Sequence, residues 1–146
     1  MKVGLYPGSF NPWHEGHKDI LMKSLQIFDR VIISIARNPD KEEEVRDCKE
    51  ITKHSYIQDL IFIDDKVGVD VTKSTLKNLV QYHKPCAVIR GLRNGHDLQY
   101  EMNAQYWNED VGVEVPFVYF ISDRALSHVS SSAIRTVEKL GLPQKY

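Results

Sequence analysis

Short apolar runs alternate with amphipathic stretches along the whole chain. Val3 to Tyr6, Val31 to Ala36, Leu60 to Ile63, Ala87 to Ile89 and Val115 to Ile121 are β-branched or aromatic runs bounded by polar residues, and they predict five buried strands. Between the first two, Ile20, Leu21, Leu25 and Phe28 recur at helical spacing and leave Lys18, Asp19, Lys23 and Gln26 for solvent. The charged stretch 41–58, which opens KEEEVRDCKE, favours a helix or, equally, begins as a mobile loop. Val71 to Tyr82 predicts another, with Val71, Leu76, Leu79 and Val80 apolar, and Asp97 to Trp107 and Ser130 to Leu140 predict the last two. Strands that alternate with helices pair in parallel through right-handed crossovers. The expected fold is therefore α/β, a Rossmann-like parallel five-stranded sheet with helices on both faces.

Composition narrows this picture only a little. At 146 residues the chain fits one domain, residues 1–146, with enough length for a real core. A hydrophobic fraction of 42% and a charged fraction of 27% suit a soluble globular protein rather than a disordered or membrane-spanning one. The formal charge of −1 argues against a protein whose main work is neutralising a nucleic-acid backbone. Cys48 and Cys86 stand in no metal or redox spacing and read as reduced thiols. The N-terminus is too short in apolar residues for a signal peptide, so the expected location is the cytoplasm.

In parallel sheets ligands bind at the carboxyl ends of the strands. Polar residues with chemical uses gather there: Gly8 to His17 after the first strand, Asn38 to Lys41 after the second, Arg90 to Arg93 after the fourth and Ser122 to Ser132 after the fifth. The first of these loops, GSFNPWHEGH, leads into a helix whose free amides and positive dipole end attract phosphate. His14 and His17, three apart, reach one side of its first turn. The plainer reading is that one of them caps the helix. A zinc site is disfavoured, because the pair is not HExxH and no third ligand is evident.

Arg90 and Arg93 suit a polyphosphate through their forked donors; the plainer reading bridges them to Asp97 or Glu101. Ser130, Ser131 and Ser132 open a helix with Arg135 one turn on, and a simple cap needs only one of the serines. Lys41 adds a cation. With neither a GxxxxGK[ST] loop nor a GxGxxG fingerprint, the four loops describe a nucleotide site of another kind.

GSFNPWHEGH resembles the (H/T)xGH signature of the nucleotidyltransferase superfamily, and VSSSAIR resembles its ISSS or ISST element. Within that superfamily, YPGSFNP, NPDK and RGLRNGHDLQYEMNAQYWN look like phosphopantetheine adenylyltransferase, with similarity from Met1 to about Arg135. The resemblance implies an enzyme that joins ATP and 4′-phosphopantetheine into dephospho-CoA and pyrophosphate, with Mg²⁺ bound through the ATP phosphates. It implies that Ser9, Phe10 and His17 meet those phosphates with His14 beside them. Gly91, Leu92, Arg93 and Glu101 would hold ATP, as would Leu126, Ser127, His128, Val129, Ser130, Ser131 and Ser132. Lys41 and Arg90 would hold the acceptor's phosphate, and Ser9 and Leu76 would line its arm. His17, Lys41 and Arg93 are the implied catalytic residues. A homo-oligomer, a hexamer, is implied as well.

Some residues depart from that pattern. Asn11 stands where the family usually has Asp, and His14 where it commonly has Thr; FNPxHxGH is closer to the nicotinamide or nicotinate mononucleotide adenylyltransferases. KEEEVRDCKE replaces the family's F-T-x-x-E-R element. The alternatives are thus an adenylyltransferase for another phosphorylated acceptor and, from a different class, a nucleotide-binding module without turnover.

Overall fold

In the computed structural model the chain is described over residues 1–36, 60 and 63–146. The elements, in order, are β1 (Val3–Gly8), α1 (Glu15–Ser24), β2 (Arg30–Ala36), β3 (Val67–Thr72), α2 (Leu76–His83), β4 (Ala87–Leu92), α3 (Gly95–Asp110), β5 (Phe117–Ile121), a 3-10 turn (Arg124–Leu126) and α4 (Ser131–Lys139). One five-stranded sheet has the order β3-β2-β1-β4-β5, with every neighbouring pair parallel. The chain begins at the centre of the sheet, builds outward through β2 and β3, then returns to β1's other side with β4 and β5. That reversal puts a topological switch point between β1 and β4.

Leu5, Val31, Ile33, Val88 and Ile89 are fully buried in the middle strands, where continuous β-branched and aliphatic runs are covered on both faces. The two faces can be told apart from β4. A Cβ on Gly91 would come within 2.8 Å of Ile20 on α1, whereas the next residue back, Arg90, sends its side chain to Glu101 on α3. Successive residues of a strand point to opposite faces, so α1 and α3 flank the sheet on opposite sides.

Five strands were expected and five are present among the described residues, but the third is a different segment. Leu60 and Ile63 have helical backbone, and the strand is Val67–Thr72. Leu60 is buried, so its run is apolar for a packing reason that burial alone cannot assign to helix or strand. Val67, Val69 and Val71 supply the period-two signal of a strand, and β3 pairs with β2 along its whole length. The helix expected from Val71 starts instead at Leu76, where the Thr75 side chain accepts from the Asn78 amide at 3.2 Å. The other helices match their expected positions within a few residues, except that α1 ends at Ser24. The helix expected over 41–58 lies outside the described residues, as does Cys48.

Candidate active site

β1 and β4 pair only at Gly4–Ala87 and Leu5–Val88, although β1 runs on to Gly8 and β4 to Leu92. Past those pairs the strands part, and a cavity of about 460 Å³ opens at their carboxyl ends. The parting has a local cause. Val3 accepts from Cys86 across this seam, so the odd residues of β1 turn their backbone groups toward β4. Pro7 is the odd residue after Leu5, and it has no N–H to continue the ladder. Its carbonyl accepts instead from the Arg90 guanidinium, which stands across the opening.

The loop after β1 is drawn tightly over this cavity. Phe10 adopts φ +46°, a conformation uncommon for a bulky residue. Its ring compensates by being buried edge-on against Tyr6 and His17, with centroids 5.1 and 4.8 Å away. His14 is the N-cap of α1: its Nδ1 accepts from the Gly16 amide at 3.1 Å, while His17 Nδ1 accepts from the His14 amide at 3.3 Å. The plainer reading of His14 is thus its geometry here. A Cβ on Gly16 would lie 2.9 Å from the His14 ring, so only glycine leaves room for this cap.

These bonds also fix the chemistry of both rings. An imidazole whose Nδ1 accepts is neutral and carries its proton on Nε2. The rings stack with centroids 3.6 Å apart, where two cations would repel. Burial pushes the His14 pKa down to about 4, with Arg93 adding to the effect. Burial, then His14, then Arg90 and Arg93 drive that of His17 lower still. Each ring is an N–H donor at neutral pH, not a cation.

Each arginine has a carboxylate partner. Arg90 donates through Nε and Nη2 to the two oxygens of Glu101, both at 2.8 Å. Arg93 donates to Asp97 through its amide, Nε and Nη2 at 2.9–3.0 Å, and reaches the Val129 carbonyl at 3.4 Å. Asp97 and Glu101, one turn apart on α3, thus take one guanidinium each, which is the pairing of the plainer reading. Arg90 itself lies within β4 rather than in the loop after it. The serines divide in the same way. Ser130 caps α4 by accepting from the Ala133 amide at 3.1 Å, and Ser131 Oγ donates to the Pro12 carbonyl at 2.9 Å. Arg135 donates to the Asn11 carbonyl. The start of α4 is thus laced to the first loop.

Ser9, Phe10, His14, His17, Arg90, Gly91, Leu92, Arg93, Glu101, Leu126, Val129, Ser130, Ser131 and Ser132 all line the one cavity. Ser127, His128 and Leu76 do not; His128 instead meets the Tyr146 hydroxyl at 3.1 Å, and Leu76 opens α2. Lys41 lies outside the described residues. Several wall residues were not among those expected: Tyr6, Asp97 and Tyr100. Asp97 and Tyr100 were legible in principle, because they share the inner face of α3 with Glu101 at helical spacing. Burial pushes the Tyr6 phenol up, against the opposing pull of Arg90. The Ser122 hydroxyl is buried without a hydrogen-bond partner among the described residues.

The cytidylyltransferase-like family profile matches residues 5–137. Among the relatives, a phosphopantetheine adenylyltransferase from Syntrophomonas wolfei is 35% identical, over 97% of this chain and 86% of its own. One from Mycoplasma capricolum is 32% identical, over 94% of this chain and 97% of its own. A solved protein from Vibrio parahaemolyticus, provisionally named a nicotinate-nucleotide adenylyltransferase, superposes with a TM-score of 0.63 at 19% identity, covering 98% of this chain and 84% of its own. At that identity it speaks for the fold alone.

Proposed function

Because the chain belongs to the cytidylyltransferase-like family and, within it, to the phosphopantetheine adenylyltransferases, we propose that it transfers AMP from ATP to 4′-phosphopantetheine, giving dephospho-CoA and pyrophosphate. The observation that carries this reading is the single cavity at the β1–β4 parting, which gathers donors from β1, α1, β4 and α4.

In this reaction an oxygen of the acceptor's phosphate forms a bond to the α-phosphorus of ATP as the bond to the β-phosphate oxygen breaks. A phosphate monoester has a second pKa near 6, so the attacking oxygen is largely ionised at neutral pH and no general base is required. The protein's task is to hold two polyanions together and to stabilise charge growing on the α-phosphate and the departing pyrophosphate. His17 suits that task as a neutral Nε2–H donor, whose orientation is set by the His14 amide. Ser9 and Phe10, with Gly91 and Leu92 opposite, form the two edges between which the triphosphate would lie. Arg93 would exchange Asp97 for phosphate. Arg90, anchored by Glu101, would face the acceptor's phosphate, with Lys41 assisting.

Among the described residues no group of three or more His, Cys, Asp or Glu side chains is placed to hold a metal. The carboxylates on the wall, Asp97 and Glu101, are engaged by arginines. The residues present therefore fit a Mg²⁺ ion that arrives on the ATP phosphates, where it would neutralise charge. Assembly into a homo-oligomer and a cytoplasmic location belong to the same proposal; no described helix is long and apolar enough to cross a membrane.

The test is a product assay. Incubation with ATP, Mg²⁺ and 4′-phosphopantetheine is expected to give dephospho-CoA and pyrophosphate on chromatography, and nicotinamide mononucleotide in its place to give no dinucleotide. Absence of dephospho-CoA would overturn the reading.

A further inference from the structure

Outside the cavity, one side chain ties the segment that ends in Ser130–Ser132 to the helix that carries His17. Lys23, on the last turn of α1, donates from Nζ to three acceptors: Asp19 Oδ2 at 2.8 Å, the Ile121 carbonyl at 2.8 Å and Asp123 Oδ1 at 3.0 Å. An ammonium has three N–H donors, so all of them are spent. Ile121 is the last residue of β5 and Asp123 begins the segment that leads to α4. The Asp123 amide donates in turn to Asp19 Oδ2 at 3.0 Å. Beside this knot, the Ser122 amide donates to the Leu92 carbonyl at 2.8 Å, so the exit of β5 is fixed against both α1 and β4.

We propose that Lys23 is a positioning residue for ATP: it sets where the chain from Ser122 to Ser132 leaves the sheet, and hence where the nucleotide wall formed by Leu126, Val129 and Ser130–Ser132 stands relative to His17. The proposal rests on the reading that this wall takes ATP. The far end of the segment is held by Ser131 on Pro12 and Arg135 on Asn11. Between the two anchorages Arg93 on Val129, at 3.4 Å, is a weak side-chain tie. Without the ammonium, Asp19 and Asp123 carry like charges across the same small gap, and the near end of the segment is pushed away from α1. Among the described residues the knot's hydrogen bonds join α1, β4 and the exit of β5, and none runs to β2 or β3, so the effect belongs to the nucleotide side of the cavity.

The test measures ATP affinity by calorimetry, which needs no acceptor, beside initial rates with each substrate varied, on the full chain and on Lys23→Met, Lys23→Arg and Asp123→Asn. Lys23→Met is expected to weaken ATP binding about tenfold, the scale of one charge-assisted hydrogen bond, while the KM for 4′-phosphopantetheine stays within about twofold. Lys23→Arg is expected to recover most of the loss, since a guanidinium can still bridge two of the acceptors. Asp123→Asn, at an exposed position, is expected to weaken ATP about threefold or less with an unchanged melting temperature. Unchanged ATP affinity in Lys23→Met would overturn the proposal, whatever happens to its melting temperature, and so would equal losses for both substrates. Should Lys23→Met not fold, Lys23→Gln is measured in its place, and unaltered ATP affinity in that variant would overturn it. A wild type that binds ATP but forms no dephospho-CoA would sink the acceptor reading alone and leave the affinity comparison to decide about Lys23. A wild type that binds no ATP would sink both.

Discussion

His14 and His17 divide one motif into two duties. His14 spends its Nδ1 on closing α1, and in doing so it presents the amide that orients His17. His17→Ala should therefore cost turnover far more than affinity: a kcat loss on the order of 10²-fold, with ATP binding changed by a few-fold, is the expected signature of a donor used mainly in the transition state. Single-turnover rates beside calorimetric affinities check it, and equal losses in the two would contradict it. The same rings set a pH limit on the fold. Their folded pKa values lie below the ordinary 6.5, so between about pH 6.5 and 4 the unfolded chain binds protons that the folded chain refuses. Stability is then fully present above pH 6.5 and falls as the pH drops through that window. Melting curves from pH 7.5 to 4.5 should show this decline, and His14→Asn, which keeps a cap acceptor without a titrating ring, should make it shallower.

At the scale of elements, the two arginine pairs on α3 look alike in sequence and behave differently in space. Arg90–Glu101 is bidentate, and its carboxylate is buried; Arg93–Asp97 is more exposed, with the Arg93 side chain 36% accessible. Glu101→Gln leaves a half-buried guanidinium without its counter-charge and should cost about 3 kcal/mol of stability. Asp97→Asn should change stability by about 1 kcal/mol or less, and should tighten ATP binding by releasing Arg93. Denaturant titrations of both variants, with ATP affinity for the second, test the distinction. The elements were also where the sequence was most and least legible. β1, β2 and β4 lie inside the sheet and are covered on both faces, and a covered strand reads as a plain apolar run; β5, at one edge, was legible through its own unbroken run Phe117–Ile121. β3 lies at the other edge with only Val67 buried, and its three valines alternating with Gly68 and Asp70 were outweighed by the continuous apolar run at Leu60. The loops that meet at the cavity could be named from the rule that ligands bind at strand ends. What could not be read was their internal bonding, because a guanidinium facing an anion and one facing a carboxylate have the same sequence pattern until α3 is folded against β4.

Taken whole, the molecule has its binding edge built from segments far apart in the chain, with Pro12 bonded to Ser131 and Asn11 to Arg135. A ligand spanning that edge stabilises the folded state through all of them at once. ATP at a hundred times its dissociation constant should add about 2.7 kcal/mol of stability and raise the melting temperature by about 5 °C or more. Hydrogen exchange should slow over residues 8–17 and 122–132 and stay unaltered along β3; uniform slowing would contradict a site confined to this edge. The parting of β1 and β4 has one more consequence. Two neighbouring strands in a resting protein ordinarily tend to zip together, and a ligand arriving between them would have to unpick the seam before it could enter. A proline sits where the next stitch would fall and an arginine props the gap, so the doorway stands ajar before any visitor comes. Entry then needs no prior unfastening of the backbone, only the swapping of a few side-chain partners.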